Sequence, residues 1–115
     1  MNVTVGKMNE VNWESRPDME GLSFGYLMKP EQNPDLTVRA AIIPTGGILP
    51  IHTHETSSET FYVLQGHGVL TCDTDEEIPT QAGEVIYAPP GVPHGMRNIG
   101  DEDLRLLAIF SPPLP

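Results

Sequence analysis

Positive charge is scarce in this chain: six Lys and Arg stand against sixteen Asp and Glu, a formal net charge of −10. So acidic a protein lacks the basic face that grips phosphate backbones or anionic lipid, so neither nucleic acid nor a membrane surface is expected as a partner. Cysteine is scarcer still. Cys72 is the one example, which excludes an intrachain disulfide and suits a reducing, cytoplasmic setting. It lies in the apolar run Gly68-Val69-Leu70-Thr71-Cys72 and reads as a small buried hydrophobe. No apolar stretch approaches the roughly 18 residues of a membrane span, and Met1 to Lys7 carry no apolar leader pattern, so no signal peptide is expected. Helical periodicity is missing too: no window sustains apolar residues at i, i+3, i+4 and i+7.

What is present in quantity is turn chemistry. Eleven Gly and twelve Pro in 115 residues favour short strands joined by tight turns over long helices. Strand-like runs follow one another: Gly21 to Lys29, Leu36 to Ile43, the stretch holding His52 and His54, Glu59 to Gln65, Gly68 to Cys72, Ile78 to Gln81, Glu84 to Ala88, Pro93 to Ile99 and Leu104 to Phe110. About eight to ten short strands at this spacing predict an all-β sandwich or closed barrel. The acidic clusters Asp73-Thr74-Asp75-Glu76-Glu77 and Asp101-Glu102-Asp103 read as solvated loops between strands. Residues 1–20 form a weakly patterned N-terminal segment. Val3 and Val5 alternate with polar neighbours as in an edge strand, and Arg16-Pro17-Asp18 reads as a turn. Residues 21–115 form the barrel.

The chemistry gathers at three histidines and one glutamate. His52 and His54 are two residues apart, which on an extended strand places both imidazoles on one face. Glu59 opens the next strand, and His94 sits among the turn residues Pro89-Pro90-Gly91-Val92-Pro93. An apolar face cannot bury two imidazoles without partners, and three imidazoles with one carboxylate make a first shell for a transition metal. His67, between two glycines at a turn, is read as exposed and not a ligand.

The segment Gly46-x5-His52-x-His54-x4-Glu59-x6-Gly66 resembles the first motif of the cupin superfamily without a departure. Gly83-x5-Pro89-x-Gly91-x2-His94-x3-Asn98 likewise resembles the second. The resemblance implies a double-stranded β-helix, or jelly-roll barrel, in minimal single-domain form. It further implies that His52, His54, Glu59 and His94 bind one divalent ion in the barrel mouth, leaving two coordination positions open on an octahedral ion. Fe, Mn, Ni, Zn, Cu and Co all suit such a ligand set. Four glycines, Gly46, Gly66, Gly83 and Gly91, stand where turns need positive φ or close backbone approach. Asn98 shares His94's strand parity and either faces inward or caps a turn.

Cupins host many reactions, so fold and metal do not choose among them. The expected function is a metal-dependent enzyme of the dioxygenase type, an oxidoreductase acting on a small chelating oxygenated molecule. The alternatives are a lyase or isomerase of a sugar or uronate, and a non-catalytic small-molecule binding module. Strand parity turns Glu59, Phe61 and Val63 inward and Tyr62 and Leu64 outward. Beside Glu59, the candidate pocket residues are Phe61 as a wall, Met96 by its parity with His94, and Arg39 as an anion holder. Arg97 has the opposite parity and is the weaker of the two arginines. A homodimer is expected, with Tyr62, Leu64, Val3, Val5, Val11 and Trp13 supplying the contact.

Overall fold

A computed structural model describes residues 3–16, 18–74 and 76–114. The strands are β1 (Glu14–Arg16), β2 (Met19–Met28), β3 (Thr37–Ile43), β4 (Ile48–His52) and β5 (Ser58–Gln65) in the first half. In the second half come β6 (His67–Cys72), β7 (Glu77–Gln81), β8 (Val85–Ala88), β9 (His94–Asn98) and β10 (Leu104–Ser111). Single-turn 3-10 segments at Met8–Glu10 and Pro30–Gln32 are the only helical pieces among the described residues. The chain is all-β, as expected. One sheet runs β1-β2-β3-β10-β5-β8 and the other β4-β9-β6-β7, with every pairing antiparallel. This is the two-sheet jelly roll.

Period-2 alternation builds the core. On β10, Leu104, Leu106, Ala108 and Phe110 point inward, and on β5 Glu59, Phe61 and Val63 do the same. Tyr62 and Leu64 point outward. The interior divides along the barrel axis. One end is a wholly apolar plug in which Leu22, Ile43, Val63, Leu70, Met96 and Leu106 meet from both sheets. Burying each such side chain is worth about 1.5–3 kcal/mol. The other end holds Phe61, Ala108 and Phe110, and it is against these that the histidines stand. Cys72 is half-buried against the plug, and His67 is exposed.

Gly66 shows why a turn here takes glycine: its φ is +97°, and an added Cβ would lie 3.0 Å from the Asp103 carbonyl oxygen. Gly46, Gly83 and Gly91 also adopt positive φ. Asn98 meets both of its expectations at once. It is buried, its Nδ2 donates to the Ile43 and Glu102 carbonyls at 2.8 and 2.9 Å, and its Oδ1 accepts from Gly100 N at 2.9 Å.

The N-terminal segment differs from expectation. Val3 and Val5 are exposed and carry no strand. Gly6 is pressed against the Leu27 carbonyl and Gly25 against Val11 and Asn12, so the segment follows β2 in antiparallel sense. It enters the ladder only at β1, where Glu14 pairs Phe24. β1 is thus the edge strand, and β2 already begins at Met19. The turn expected at Pro17 lies outside the described residues, although Arg16 and Asp18 on either side form an ion pair at 3.3 Å. Asp75 of the first acidic cluster is also outside them. The segment reaches the sheet at β1, on one edge, and Tyr62 and Leu64 lie on β5, next to the other edge.

Candidate metal centre

The site forms where the two sheets meet at the open end. His52 closes β4 and His94 opens β9, and the two are cross-strand partners. A register shift between Leu49 and His52 turns the end of β4 toward the interior, as bulges commonly do beside functional sites. β4 stops at His52, so His54 lies just beyond the strand and not on its face as the period-2 reading had it. What returns His54 to the cluster is a turn on the other sheet strand. Gly91, at φ +79°, donates its N–H to the His54 carbonyl at 2.8 Å, and Val92 N donates to the Pro89 carbonyl at 3.2 Å. Glu59 arrives from β5, inward by parity and 3% exposed.

The ligand atoms of His52, His54, Glu59 and His94 all lie within 4.8 Å of one another. Their arrangement is specific. The Nε2 atoms of His52, His54 and His94 stand 3.6, 3.2 and 2.7 Å from the same carboxylate oxygen, Glu59 Oε1. His52 Nδ1 donates to the Pro50 carbonyl at 2.8 Å and His94 Nδ1 to the Val92 carbonyl at 2.9 Å. A carbonyl only accepts, so each Nδ1 carries hydrogen, and each Nε2 either holds a second proton toward Glu59 or, once deprotonated, offers a lone pair inward. His54 Nε2 is buried and makes no hydrogen bond. Lone pairs facing a buried carboxylate repel unless a cation stands among them. A proton on one imidazole satisfies that pair alone, whereas a metal ion satisfies all four groups. The residues therefore fit a metal ion.

Electrostatics agree with this. Burial raises the Glu59 carboxyl, but hydrogen bonds from His52 and His94 outweigh it and hold Glu59 below its ordinary range. Burial lowers His54, and the neighbouring imidazoles add to that against Glu59's pull, leaving it below its ordinary value. Burial also lowers His52, yet its hydrogen bonds to Glu59 and Pro50 overcome this and leave it raised.

Beside the cluster lies a cavity of about 240 Å³. His52, His54 and Glu59 are its polar lining near the cluster; Phe61, Leu106, Ala108 and Phe110 give it apolar surface; Arg16, Phe24 and Arg39 also line it. Phe110 packs edge-on against His54 with ring centres 5.1 Å apart, and Phe61 against His94 at 5.5 Å. The structure thus brings Arg39 and Phe61 to the cavity with the cluster. It does not bring Met96, which is 1% exposed in the apolar plug with its sulfur 3.7 Å from Thr80 Oγ1. Parity put Met96 inward correctly, but two residues along β9 from His94 the interior is already solid core. Arg97 pairs with Glu77 at 2.9 Å on the outer face. Sequence reasoning missed Phe110 and Arg16. Alternation along β10 carries the signal for Phe110; nothing in the pattern around Arg16 points to the cavity.

A family model described as "Cupin domain" matches residues 40–110. The chain belongs to the cupin family. Among related proteins, an uncharacterised protein of Methanocaldococcus jannaschii is 41% identical over 73 residues, covering 64% of this chain and 58% of that protein. An oxalate-binding protein of Thermotoga maritima is 36% identical over 68 residues, covering 59% of this chain and 55% of its own length. This cupin therefore matches little more than half the length of each. A crystal structure described as a "predicted oxalate decarboxylase" from Thermotoga maritima superposes with a TM-score of 0.82 at 27% identity, covering 94% of this chain and 98% of that one. No helix among the described residues is long and apolar enough to cross a membrane.

Proposed function

We propose that this cupin is a metal-dependent enzyme that oxidises a small, chelating oxygenated substrate in a dioxygenase-type reaction. The observation that carries the metal is the convergence of three imidazole Nε2 atoms on one buried carboxylate oxygen. Bound there, a divalent transition ion supplies Lewis acidity and, where redox-active, electrons for dioxygen. The chain's own residues supply the rest. The Nδ1–carbonyl hydrogen bonds lock the orientation of His52 and His94, as outer-shell partners do in metal sites generally. Phe61, Leu106, Ala108 and Phe110 make one wall of the chamber apolar, which excludes water and suits an apolar gas. A carboxylate substrate is supported by the similarity to an oxalate-binding protein and to the described oxalate decarboxylase.

The lining also favours oxidation over isomerisation. Among the described residues, the titratable groups of the chamber are His52, His54, Glu59 and two arginines. No Lys, Tyr or Asp stands free of the metal to shuttle a proton, as a sugar or uronate isomerase or lyase requires. The oxalate-binding relative favours one second reading, a carrier that binds its ligand on the metal without turnover. An oxygen-electrode screen of iron-loaded protein against oxalate and small hydroxy and oxo acids separates these. Oxygen uptake that is lost in His94→Ala is the expected result. Turnover without uptake would overturn the oxidative assignment, and saturable binding without any turnover would leave the carrier.

A further inference from the structure

A second cavity, about 500 Å³, lies between the N-terminal segment and β2 and contains none of the histidines. It shares Arg16, Phe24 and Arg39 with the metal chamber, so these three side chains border both spaces. Arg39 is the unusual member. It is half-buried, and its Nη2 donates to the Tyr26 hydroxyl at 3.0 Å. Its guanidinium carbon lies 5.0 Å from the Tyr26 ring centre and 5.5 Å from that of Phe110. In a chain carrying sixteen acidic residues, no carboxylate pairs with it among the described residues. Arg16, by contrast, has Asp18, and Arg97 has Glu77. A guanidinium carries five N–H donors in a planar fork, and the one phenol hydroxyl leaves most of them for something else. Two aromatic faces hold the plane in position, which preorganises it for a bidentate carboxylate.

The geometry also sets a spacing. Phe110 touches both ends of the chamber: its ring centre is 5.1 Å from that of His54 and 5.5 Å from the Arg39 guanidinium carbon. The metal end and the cation end are thus one phenyl ring apart. The charges match as well. A divalent ion against Glu59 leaves one net positive charge, Arg39 adds a second, and Arg16 is offset by Asp18, so the chamber neutralises a dianion.

We propose that Arg39 is the substrate-anchoring residue of this cupin, holding the distal carboxylate of an elongated diacid whose other end chelates the metal. The inference rests on the metal reading above and names its substrate class. Calorimetric titration of metal-loaded wild type and Arg39→Gln tests it. The probes are oxalate, the straight-chain dicarboxylates from malonate to pimelate, and the monocarboxylates of the same lengths. In wild type at least one diacid longer than oxalate should bind about tenfold more tightly than its monoacid, the value of a charge-assisted pair. Arg39→Gln should lose that preference while its metal content and melting temperature stay near wild type. Arg39→Lys, which keeps the charge but not the fork, should fall between and guards against a folding defect in the first variant. A preference absent at every length, or one that survives in Arg39→Gln, would overturn the proposal. Oxalate binding with no diacid advantage would overturn this inference alone; a loaded protein that binds neither would overturn the proposed chelating carboxylate substrate with it.

Discussion

Glu59 Oε1 is the point on which the site turns, because it must answer three imidazoles at once. Without metal, its charge and hydrogen bond keep the His52 imidazole above its ordinary value of 6.5. A metal ion takes the Nε2 lone pair and must displace that proton. The sign follows. His54 is lowered and Glu59 is lowered, so both favour their ligating forms at neutral pH, whereas the raised His52 has to give up a proton to ligate. Apparent metal affinity should therefore begin to fall while the pH is still above 6.5 and steepen to at least about tenfold per pH unit at lower pH. Titration of metal-free protein with a divalent ion at several pH values measures this. Affinity that stays flat between roughly pH 5 and 8 would mean the imidazoles are not ligands.

At the scale of elements, two histidines are aimed by one short strand and its neighbour. β9 begins at His94 and ends at Asn98, and Asn98 fixes the far end by bridging the Ile43 and Glu102 carbonyls. Replacing it with Ala takes the donor from the buried Ile43 carbonyl and from the partly buried Glu102 carbonyl, at about 1–3 kcal/mol in all. Asn98→Ala should lower the melting temperature, yet keep its metal, because His94 is held separately by Val92 and by the Gly91–His54 bond. Metal loss equal to that of a ligand variant would contradict this division of labour. Much of the arrangement was legible in residues. His52, Glu59 and His94 stood out by spacing, and the inward face of β5 followed from alternation. Alternation also assigned His54 to a strand that had in fact ended, because the turn that carries it is made by a hydrogen bond from Gly91, far away in sequence. The same rule put Met96 inward without showing that the interior there is solid. Parity gives a side, not a depth.

For the whole molecule, the two-sheet barrel places an apolar plug at one end and a polar mouth at the other. That plan was readable from the count of short strands, the turn residues and the two motifs. The pairing of β4 with β9 and of β10 between β3 and β5 was not, because long-range order leaves no periodic trace in a single chain. Nor was the course of the N-terminal segment, whose valines alternate like a strand but whose Gly6 packs on the Leu27 backbone instead of joining a ladder. The claim on which everything else depends is that His52, His54, Glu59 and His94 hold a metal. Elemental analysis of protein purified without added metal, in wild type, His52→Ala and His94→Ala, addresses it directly. The account predicts about one divalent transition ion per chain in wild type and its loss, by at least tenfold, in both folded variants. Full occupancy in either variant would contradict it.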